Sequence, residues 1–329
     1  AIGQTGNGIV SITNTGGAGT GTGISCSSSG KGIAHSGSGA LTIAVPATKK
    51  VCDIGNTTST GSCITSTGTG TFSLSLTGDI VAGSTTATIV VNNANCTFLM
   101  TGTVSCAAAA ANLGITLTAC SATSSITAPA GGSCITNAAG TSTAGLVSIL
   151  AGTLTCTGVA GATTAVSCAA AGYSIVSTGG HVTITNGVGT AVSLASTGRT
   201  VSMTGAGILT VTATTVISMT AAATGTAIFN ASTGATHVIT GNISDLGTGI
   251  AYNQTNGTCT FTGLITASQP TNTAPGNFFS VGVSTGTLNI VATGANEMFA
   301  GTNGKIALRV TATGTANLKG TVTLASDAH

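Results

Sequence analysis

The stretch "His181-Val-Thr-Ile-Thr185", followed by "Val192-Ser-Leu-Ala-Ser196" and "Ile208-Leu-Thr-Val-Thr-Ala213", decides the fold class of this chain. In each run most apolar residues alternate with hydroxyl-bearing residues, which is typical of a β-strand with one buried face. Glycine-containing turns separate such runs, and strand starts fall about 7 to 12 residues apart. Residues that favour helices are scarce. The sequence therefore predicts an all-β protein.

This spacing is compatible with two architectures. Short antiparallel strands can form β-sandwich-like modules, or the coils of a β-solenoid can stack on one another. The sequence of a solenoid usually has a strict repeat period, and this sequence has none. We therefore favour antiparallel β-sandwich-like modules, with a β-solenoid as the alternative.

Composition divides the chain into four zones. Residues 1–50 form a Gly/Ser-rich segment whose first strand could pair with a neighbouring subunit. Residues 51–175 hold eight of the ten cysteines and are predicted to be a cysteine-stapled β region. Residues 176–270 are a cysteine-poor strand array, and a proline-marked linker leads into a C-terminal β module at 271–329.

The chain carries very little charge. Charged residues make up 4% of it, aromatic residues 3%, and the formal net charge is +2. Little repulsion keeps copies apart, so association with copies of itself is the expected behaviour. The few basic residues form no stripe, so we expect no nucleic-acid partner. No apolar run is long enough for a membrane span, and the start at Ala1 without Met fits an exported form.

The cysteines are predicted to form a disulfide framework. In chain order eight of them are near neighbours, which suggests the pairs Cys52/Cys63, Cys96/Cys106, Cys120/Cys134 and Cys156/Cys168. Cys26 and Cys259 have no close neighbour, and they could pair with each other or link subunits. Pairing cannot be read from sequence, so pairs across hairpins or between subunits stay open. No Cys-x₂₋₄-Cys spacing is present, and we expect no metal site.

Catalytic residues are not recognisable. The chain has five acidic residues and four histidines, and none lies at a catalytic spacing from another. His181 and His237 each begin a strand-like run, so both are interpreted as solvated strand ends. We expect no enzyme activity and no cofactor.

Two further patterns concern the surface. Candidate glycosylation sequons occur at six asparagines, so a glycan is a candidate partner; these are Asn56, Asn95, Asn230, Asn242, Asn253 and Asn256. The pairs "Thr183-Ile-Thr185" and "Thr210-Val-Thr212" look like the ladders of surfaces that bind ice or sugar. Such a surface must be flat and regular, and the irregular turns favour ordinary solvent-facing strands instead.

The Gly/Thr/Ser/Ala composition, the "xTG" turns and the closing segment 304–324 resemble surface-filament and sheath subunits of prokaryotes and tail-fibre or virion-surface proteins. The resemblance implies a structural subunit at a cell surface, or alternatively at a virion surface. We therefore expect an extracellular protein that assembles into a filament, tube or sheath hardened by disulfides. The alternative is an adhesin or receptor-binding fibre that recognises glycans.

Overall fold

A computed structural model of the chain describes most of its residues. They are 2–13, 22–25, 32–45, 50–52, 62–82, 86–106, 113–120, 123–159, 164–233, 236–245, 247–263, 265–266, 277–281, 287–298, 306–310 and 315–324. Cys26, Asn56 and the proline-marked linker at 270–275 lie outside the described residues.

All regular structure in the described residues is β-strand. The first nine strands are β1 (Ile2–Gln4), β2 (Val10–Thr13), β3 (Thr22–Ser25), β4 (Ile33–His35), β5 (Leu41–Val45), β6 (Lys50–Cys52), β7 (Ile64–Ser66), β8 (Phe72–Thr77) and β9 (Ile80–Ala82). The next nine are β10 (Ile89–Val91), β11 (Cys96–Thr101), β12 (Val104–Cys106), β13 (Ile115–Leu117), β14 (Thr123–Thr127), β15 (Ile135–Asn137), β16 (Val147–Ile149), β17 (Thr153–Gly158) and β18 (Thr164–Cys168).

The remaining thirteen strands include the longest ones. They are β19 (Tyr173–Ser177), β20 (His181–Leu194), β21 (Arg199–Met203), β22 (Leu209–Met219), β23 (Thr226–Asn230), β24 (His237–Asp245), β25 (Ile250–Gln254), β26 (Thr258–Gly263), β27 (Ile265–Thr266), β28 (Asn277–Val281), β29 (Thr287–Met298), β30 (Ile306–Val310) and β31 (Thr315–Leu324).

The strands stack in parallel as a β-solenoid. A first sheet contains twelve strands in the order β1-β4-β7-β10-β13-β16-β19-β21-β23-β25-β28-β30, and each of them opens one coil. The chain then passes through a second strand position, occupied for example by β8, β11 and β14, and a third, occupied for example by β9, β12 and β15. Both positions belong to the other sheet. From β20 on, one long strand can occupy both positions, because β20 pairs with both β17 and β18. The prediction of antiparallel sandwich modules is wrong, and the solenoid alternative describes the fold.

The interior is built from columns of aliphatic side chains, a column being the residues that stack in register from coil to coil. The first sheet buries a column of eight β-branched residues, which are Ile33, Ile64, Ile89, Ile115, Val147, Ile175, Val201 and Ile228. Branched side chains suit strands, and burying each one contributes about 1.5–3 kcal/mol. Stacked aliphatic side chains, repeated in every coil, therefore fill a core that has few aromatic rings.

The third strand position has a similar column, consisting of Ile80, Val104, Ile135, Val166, Val192, Ile217 and Ile243. The second position stacks Leu76, Met100, Ile126, Cys156, Ile184, Val211, Ile239 and Phe261. Three inward columns thus meet in one core, and the residues between them in each strand point outward.

The coils differ in length, which hides their period. Successive members of the first-sheet column are 24 residues apart from Ile228 to Tyr252 but 32 residues apart from Ile115 to Val147. The extra residues lie between strands, where insertions do not disturb the ladder. A solenoid with this variation shows no strict repeat in its sequence.

The recurrent glycines of the turns are explained by close stacking. A Cβ atom on Gly225 would lie 2.1 Å from the carbonyl oxygen of Gly198, and one on Gly249 would lie 2.0 Å from that of Gly225. Any side chain would therefore displace the backbone of the coil beneath. Glycine is required here for space between coils, which differs from the positive-φ role that turns usually suggest.

Strands from all four predicted zones belong to the same two sheets. The Gly/Ser-rich segment contributes β1 to β6, and β2 pairs in register with β5 of the next coil. Its proposed role as a strand added to another subunit stays a prediction.

Candidate functional site: a hydroxyl face and corner thiols

The most regular surface of the solenoid is an array of hydroxyl-bearing side chains on eight successive strands of the second position. We call it the hydroxyl face and define it by two outward columns. One column is Ser75, Leu99, Ser125, Thr155, Thr183, Thr210, Val238 and Thr260, and the other is Thr77, Thr101, Thr127, Thr157, Thr185, Thr212, Thr240 and Thr262.

The second column of this face is threonine at every position, and its register is uninterrupted. Strand geometry places the two columns roughly 6.6 Å apart along a strand, and stacked strands are roughly 4.8 Å apart. The face is therefore a two-dimensional array with two fixed repeats. The sequence signal was a Ser/Thr-x-Thr pair in six of the eight strands, at 75/77, 125/127, 155/157, 183/185, 210/212 and 260/262, and the variable coil length obscured its return.

Fourteen of the sixteen side chains of the hydroxyl face carry a hydroxyl, and the other two are Leu99 and Val238. Each of its side chains is exposed or half-exposed, and none carries a charge. Among the described residues, no protein group forms a hydrogen bond with a threonine hydroxyl of the second column. The face thus presents methyl groups and free hydroxyls over eight coils. Irregular turns were the reason to expect an ordinary solvent face, and they do not disturb this array.

The third strand position carries a shorter outward column of hydroxyl-bearing residues. Among the described side chains it consists of Ser105, Thr136, Ser167, Ser193, Ser218 and Ser244. Since β20 and β22 supply residues to both surfaces, the two surfaces can be compared by substitutions on the same strands.

No disulfide bond joins any two of the cysteines whose side chains the structure describes. Seven are buried and Cys106 is half-buried; the seven are Cys63, Cys96, Cys120, Cys134, Cys156, Cys168 and Cys259. Among them, the pairs Cys96/Cys106, Cys120/Cys134 and Cys156/Cys168, which were predicted from chain order, are not bonded to each other, and the pair Cys52/Cys63 stays a prediction. Cys52 belongs to β6, and its side chain lies outside the described residues.

Thiol contacts instead join successive coils. Cys96 and Cys120 are hydrogen-bonded through their thiols, and Cys120 Sγ also lies 3.6 Å from the Cys96 carbonyl oxygen. The thiols of Cys134 and Cys156 interact as a second pair between successive coils. The partner thiol and burial raise the pKa of Cys96 and of Cys156 well above the ordinary value, and the hydrogen bond from Cys156 lowers that of Cys134.

The remaining thiols contact polar groups of the protein. Cys106 Sγ lies 3.2 Å from Asn137 Oδ1, and Cys168 Sγ donates to the carbonyl oxygen of Gly172 at 3.2 Å. Burial raises the pKa of Cys259 to about 12, and its thiol contacts the buried Tyr252. Burial also raises the pKa of Cys168, so Cys168 and Cys259 are expected to be neutral thiols.

The histidines occupy different environments. His181 is exposed, as expected, and its Nδ1 accepts a hydrogen bond from the Ile208 amide at 3.0 Å. His237 is fully buried, so its interpretation as a solvated strand end was wrong. Burial lowers its pKa to about 4, and its Nδ1 accepts from the Leu209 amide at 2.9 Å. His35 is also buried, between Ser66 Oγ and the Gly39 carbonyl oxygen.

Within the described part of the chain, no three His, Cys, Asp or Glu side chains form a group that could hold a metal ion. Asp79 accepts a hydrogen bond from the Thr103 amide of the next coil at 3.0 Å, which is a structural contact. No helix long and apolar enough to cross a membrane occurs among the described residues.

The candidate glycosylation sites divide by exposure. Asn95 is exposed, while Asn242, Asn253 and Asn256 are half-exposed, and they stay predictions. Asn230 is fully buried, and its Nδ2 donates to the Tyr252 hydroxyl at 3.1 Å. A glycan on Asn230 is incompatible with this packing.

One aromatic cluster lies on the first sheet. The Arg199 guanidinium is 4.0 Å from the centroid of the Phe229 ring and 5.1 Å from that of Tyr173, and all three side chains are half-buried. Cation–π contacts of this kind stabilise neighbouring coils.

Comparison with known proteins adds no relationship. No protein-family model, no curated protein and no solved structure matches the chain. Function must therefore be argued from the fold and from these surfaces.

Proposed function

We propose that this chain is an extracellular structural subunit that associates with copies of itself into a filament, tube or sheath at a cell surface, or alternatively at a virion surface. The observation that carries the proposal is the hydroxyl face, an uncharged and in-register surface spanning eight coils. A parallel stack of coils is a rigid rod, and a rod with a long regular side is suited to lateral packing.

The shape of the hydroxyl face and the low charge of the chain both favour association. Stacked β-sheets pack face to face at about 10 Å when their side chains interdigitate, and small side chains allow this along a whole face. A formal net charge of +2 on 329 residues supplies little repulsion against it. Two exposed apolar residues, Leu99 and Val238, lie on the face and add apolar area to such a contact.

An extracellular location is supported by the cysteine content. Ten cysteines are more readily explained in an oxidising compartment, where thiols in contact can be converted to disulfides. Such bonds would harden each subunit.

The experiment introduces charge into the face and images the product. We expect the wild-type chain to form large regular particles by light scattering and negative-stain microscopy, and the double substitution Thr185→Lys/Thr212→Lys to prevent them. The matched control is Ser193→Lys/Ser218→Lys, which places the same charges on β20 and β22 at the third strand position. Wild-type chains that stay monomeric, or two variants that behave alike, would contradict the proposal.

A second candidate is ice binding by the same face. Ice presents its oxygen atoms on a planar lattice, and a rigid array of free hydroxyls and methyl groups with two fixed repeats is a surface that can match one. The uninterrupted threonine column favours this candidate. Thermal hysteresis and ice-crystal shape test it; activity lost in Thr185→Lys/Thr212→Lys but kept in the Ser193/Ser218 control would support it, and no wild-type activity would exclude it.

The alternative of a glycan-binding adhesin or receptor-binding fibre has one favourable observation, the half-exposed rings of Tyr173 and Phe229 beside Arg199. Tyr252, the other tyrosine, is fully buried and is not available to a sugar. Binding to immobilised glycans that is lost in Tyr173→Ala would favour this function over self-association.

A further inference from the structure

The cysteines that are close in space are not the ones that are close in sequence. Cys96 begins β11, and Cys120 lies between β13 and β14 at the equivalent corner of the next coil. Cys134 precedes β15, and Cys156 lies in β17 of the following coil. Both contacts therefore connect one coil to its neighbour.

The position of Cys134 can be located from its backbone partners. Its Sγ lies 3.4 Å from the carbonyl oxygen of Ile126 and 3.4 Å from that of Thr157, and its single S–H can donate to either. Ile126 is the register partner of Cys156, and Thr157 follows Cys156 in the chain. The Cys134 sulfur thus lies beside Cys156, between two stacked strands.

The spacing of the coils suits a covalent bridge. Stacked strands are about 4.8 Å apart, and Cα atoms of disulfide-bonded cysteines are usually about 4.4–6.8 Å apart. The ordinary spacing of the coils is therefore within the range that a disulfide between adjacent coils can span. Cys106 and Cys168 belong to coils separated by a whole coil, because Asn137 stacks directly beneath Cys168 and contacts the Cys106 thiol.

We propose that Cys96–Cys120 and Cys134–Cys156 are two dithiol sites that oxidise to disulfides linking successive coils. The inference deepens the proposed extracellular role, because that role supplies the oxidant, but it concerns the subunit itself and not the contact between subunits.

The oxidant is a small-molecule disulfide or a disulfide-exchanging protein of the export compartment. One cysteine thiolate attacks a sulfur of the oxidant, forms a mixed disulfide and releases one reduced thiol. The second cysteine thiolate then attacks the protein sulfur of that mixed disulfide and releases the other thiol. Two protein thiols thus lose two protons and two electrons, and one oxidant disulfide becomes two thiols.

The order of the steps follows from the environment. All four thiols are at most 1% exposed, so the exchange must occur while the coils are closing or during their transient opening. In the second site Cys134 is suited to the attacking role, because its hydrogen bond from Cys156 favours the thiolate and lowers its pKa.

The experiment folds the full chain with oxidised glutathione and, separately, with dithiothreitol, blocks free thiols, and maps cross-linked peptides by mass spectrometry. We expect links Cys96–Cys120 and Cys134–Cys156 in the oxidised sample and neither in the reduced one. Links Cys96–Cys106, Cys120–Cys134 or Cys156–Cys168, or complete blocking of all four thiols after oxidative folding, would overturn the inference.

Two variants keep the test specific. Cys120→Ser should remove the first link and leave the second, and the control Cys106→Ser should leave both, with circular dichroism confirming that each variant is folded. Assembly is scored separately by microscopy. Correct links without assembly would contradict the proposed function alone, and assembly without these links would contradict this inference alone.

Discussion

Two parts of the solenoid hold successive coils together by different means. We call the coils from β10 to β18 the cysteine coils and those from β19 to β24 the long-strand coils. In the cysteine coils the second and third positions are separate strands of three to six residues. In the long-strand coils one strand of 14, 11 or 9 residues runs through both positions.

The difference shows what the thiols do in the reduced molecule. A separate strand ends at a corner, where backbone groups lose their ladder partners and need others. Cys134 and Cys168 donate to carbonyl oxygens at such corners, and the Gly140 amide donates to Cys106 Sγ at 3.2 Å. The long strands pass the same corner with a shift of register, between Asn186 and Thr190 in β20 and between Thr212 and Thr215 in β22, and they contain no cysteine. Thiols therefore serve as backbone partners where the second and third positions are separate strands.

The largest expected effect comes from removing core volume in either part. Phe98 of the cysteine coils and Ile184 of the long-strand coils are fully buried. We expect Phe98→Ala to lower the free energy of unfolding by about 3–5 kcal/mol and Ile184→Ala by about 2–5 kcal/mol. Denaturant titration measures both changes.

Amide hydrogen exchange shows which part of the solenoid loses stability. Since a solenoid contacts mainly its neighbouring coils, each substitution should raise exchange most in its own part. The control is Leu99→Ala, next to Phe98 but exposed, which should change stability by less than about 0.5 kcal/mol. Equal destabilisation by Phe98→Ala and Leu99→Ala would refute the inward and outward assignment of β11.

Oxidation should stabilise the cysteine coils selectively. Each coil-to-coil disulfide closes a loop of roughly 25 residues, which corresponds to about 3 kcal/mol in the chain-entropy description. We expect dithiothreitol to lower the free energy of unfolding by about 3 kcal/mol per bridge. Amide hydrogen exchange in β20 and β22 should change little. In Cys120→Ser the effect of dithiothreitol should fall by about half. If dithiothreitol instead destabilised only the long-strand coils, the prediction of selective stabilisation of the cysteine coils would be wrong.

Acid should weaken the long-strand coils through His237 of β24. Its pKa of about 4 in the fold lies below the ordinary value near 6.5, so the unfolded chain binds more protons between these pH values. Stability is complete above about pH 6.5 and falls by up to about 3 kcal/mol as the pH drops to about 4. His237→Gln should flatten this dependence, whereas His181→Gln at the exposed histidine should not.

The strand faces were readable from sequence, but the direction of the strands was not. The alternation in "His181-Val-Thr-Ile-Thr185" correctly places Val182 and Ile184 inside, because burial follows a period of two in any sheet. Parallel and antiparallel pairing produce the same alternation. A strand pattern that repeats at a fixed interval would indicate parallel coils. The coils vary from 24 to 32 residues in length, so the sequence shows no fixed interval.

The cysteines show the same limit more sharply. Neighbours in sequence are natural partners in a hairpin, where the chain reverses within a few residues. In a parallel solenoid the chain returns to the same corner only after a full coil, so Cys96 meets Cys120 and not Cys106. His237 was misassigned for a related reason, since a residue that begins one strand can be covered by the coils on either side.

The smallest expected effect separates the two outward surfaces of the long-strand coils. Thr212 on the hydroxyl face and Ser218 on the third position both lie on β22 and point away from the core. We expect Thr212→Val and Ser218→Ala each to change the free energy of unfolding by less than about 0.5 kcal/mol, because neither hydroxyl has a partner among the described residues. If the hydroxyl face is a binding surface, Thr212→Val should nonetheless alter assembly or ice shaping, while Ser218→Ala should alter neither. A large loss of stability in Thr212→Val would instead assign its hydroxyl to the fold and remove it from any recognition surface.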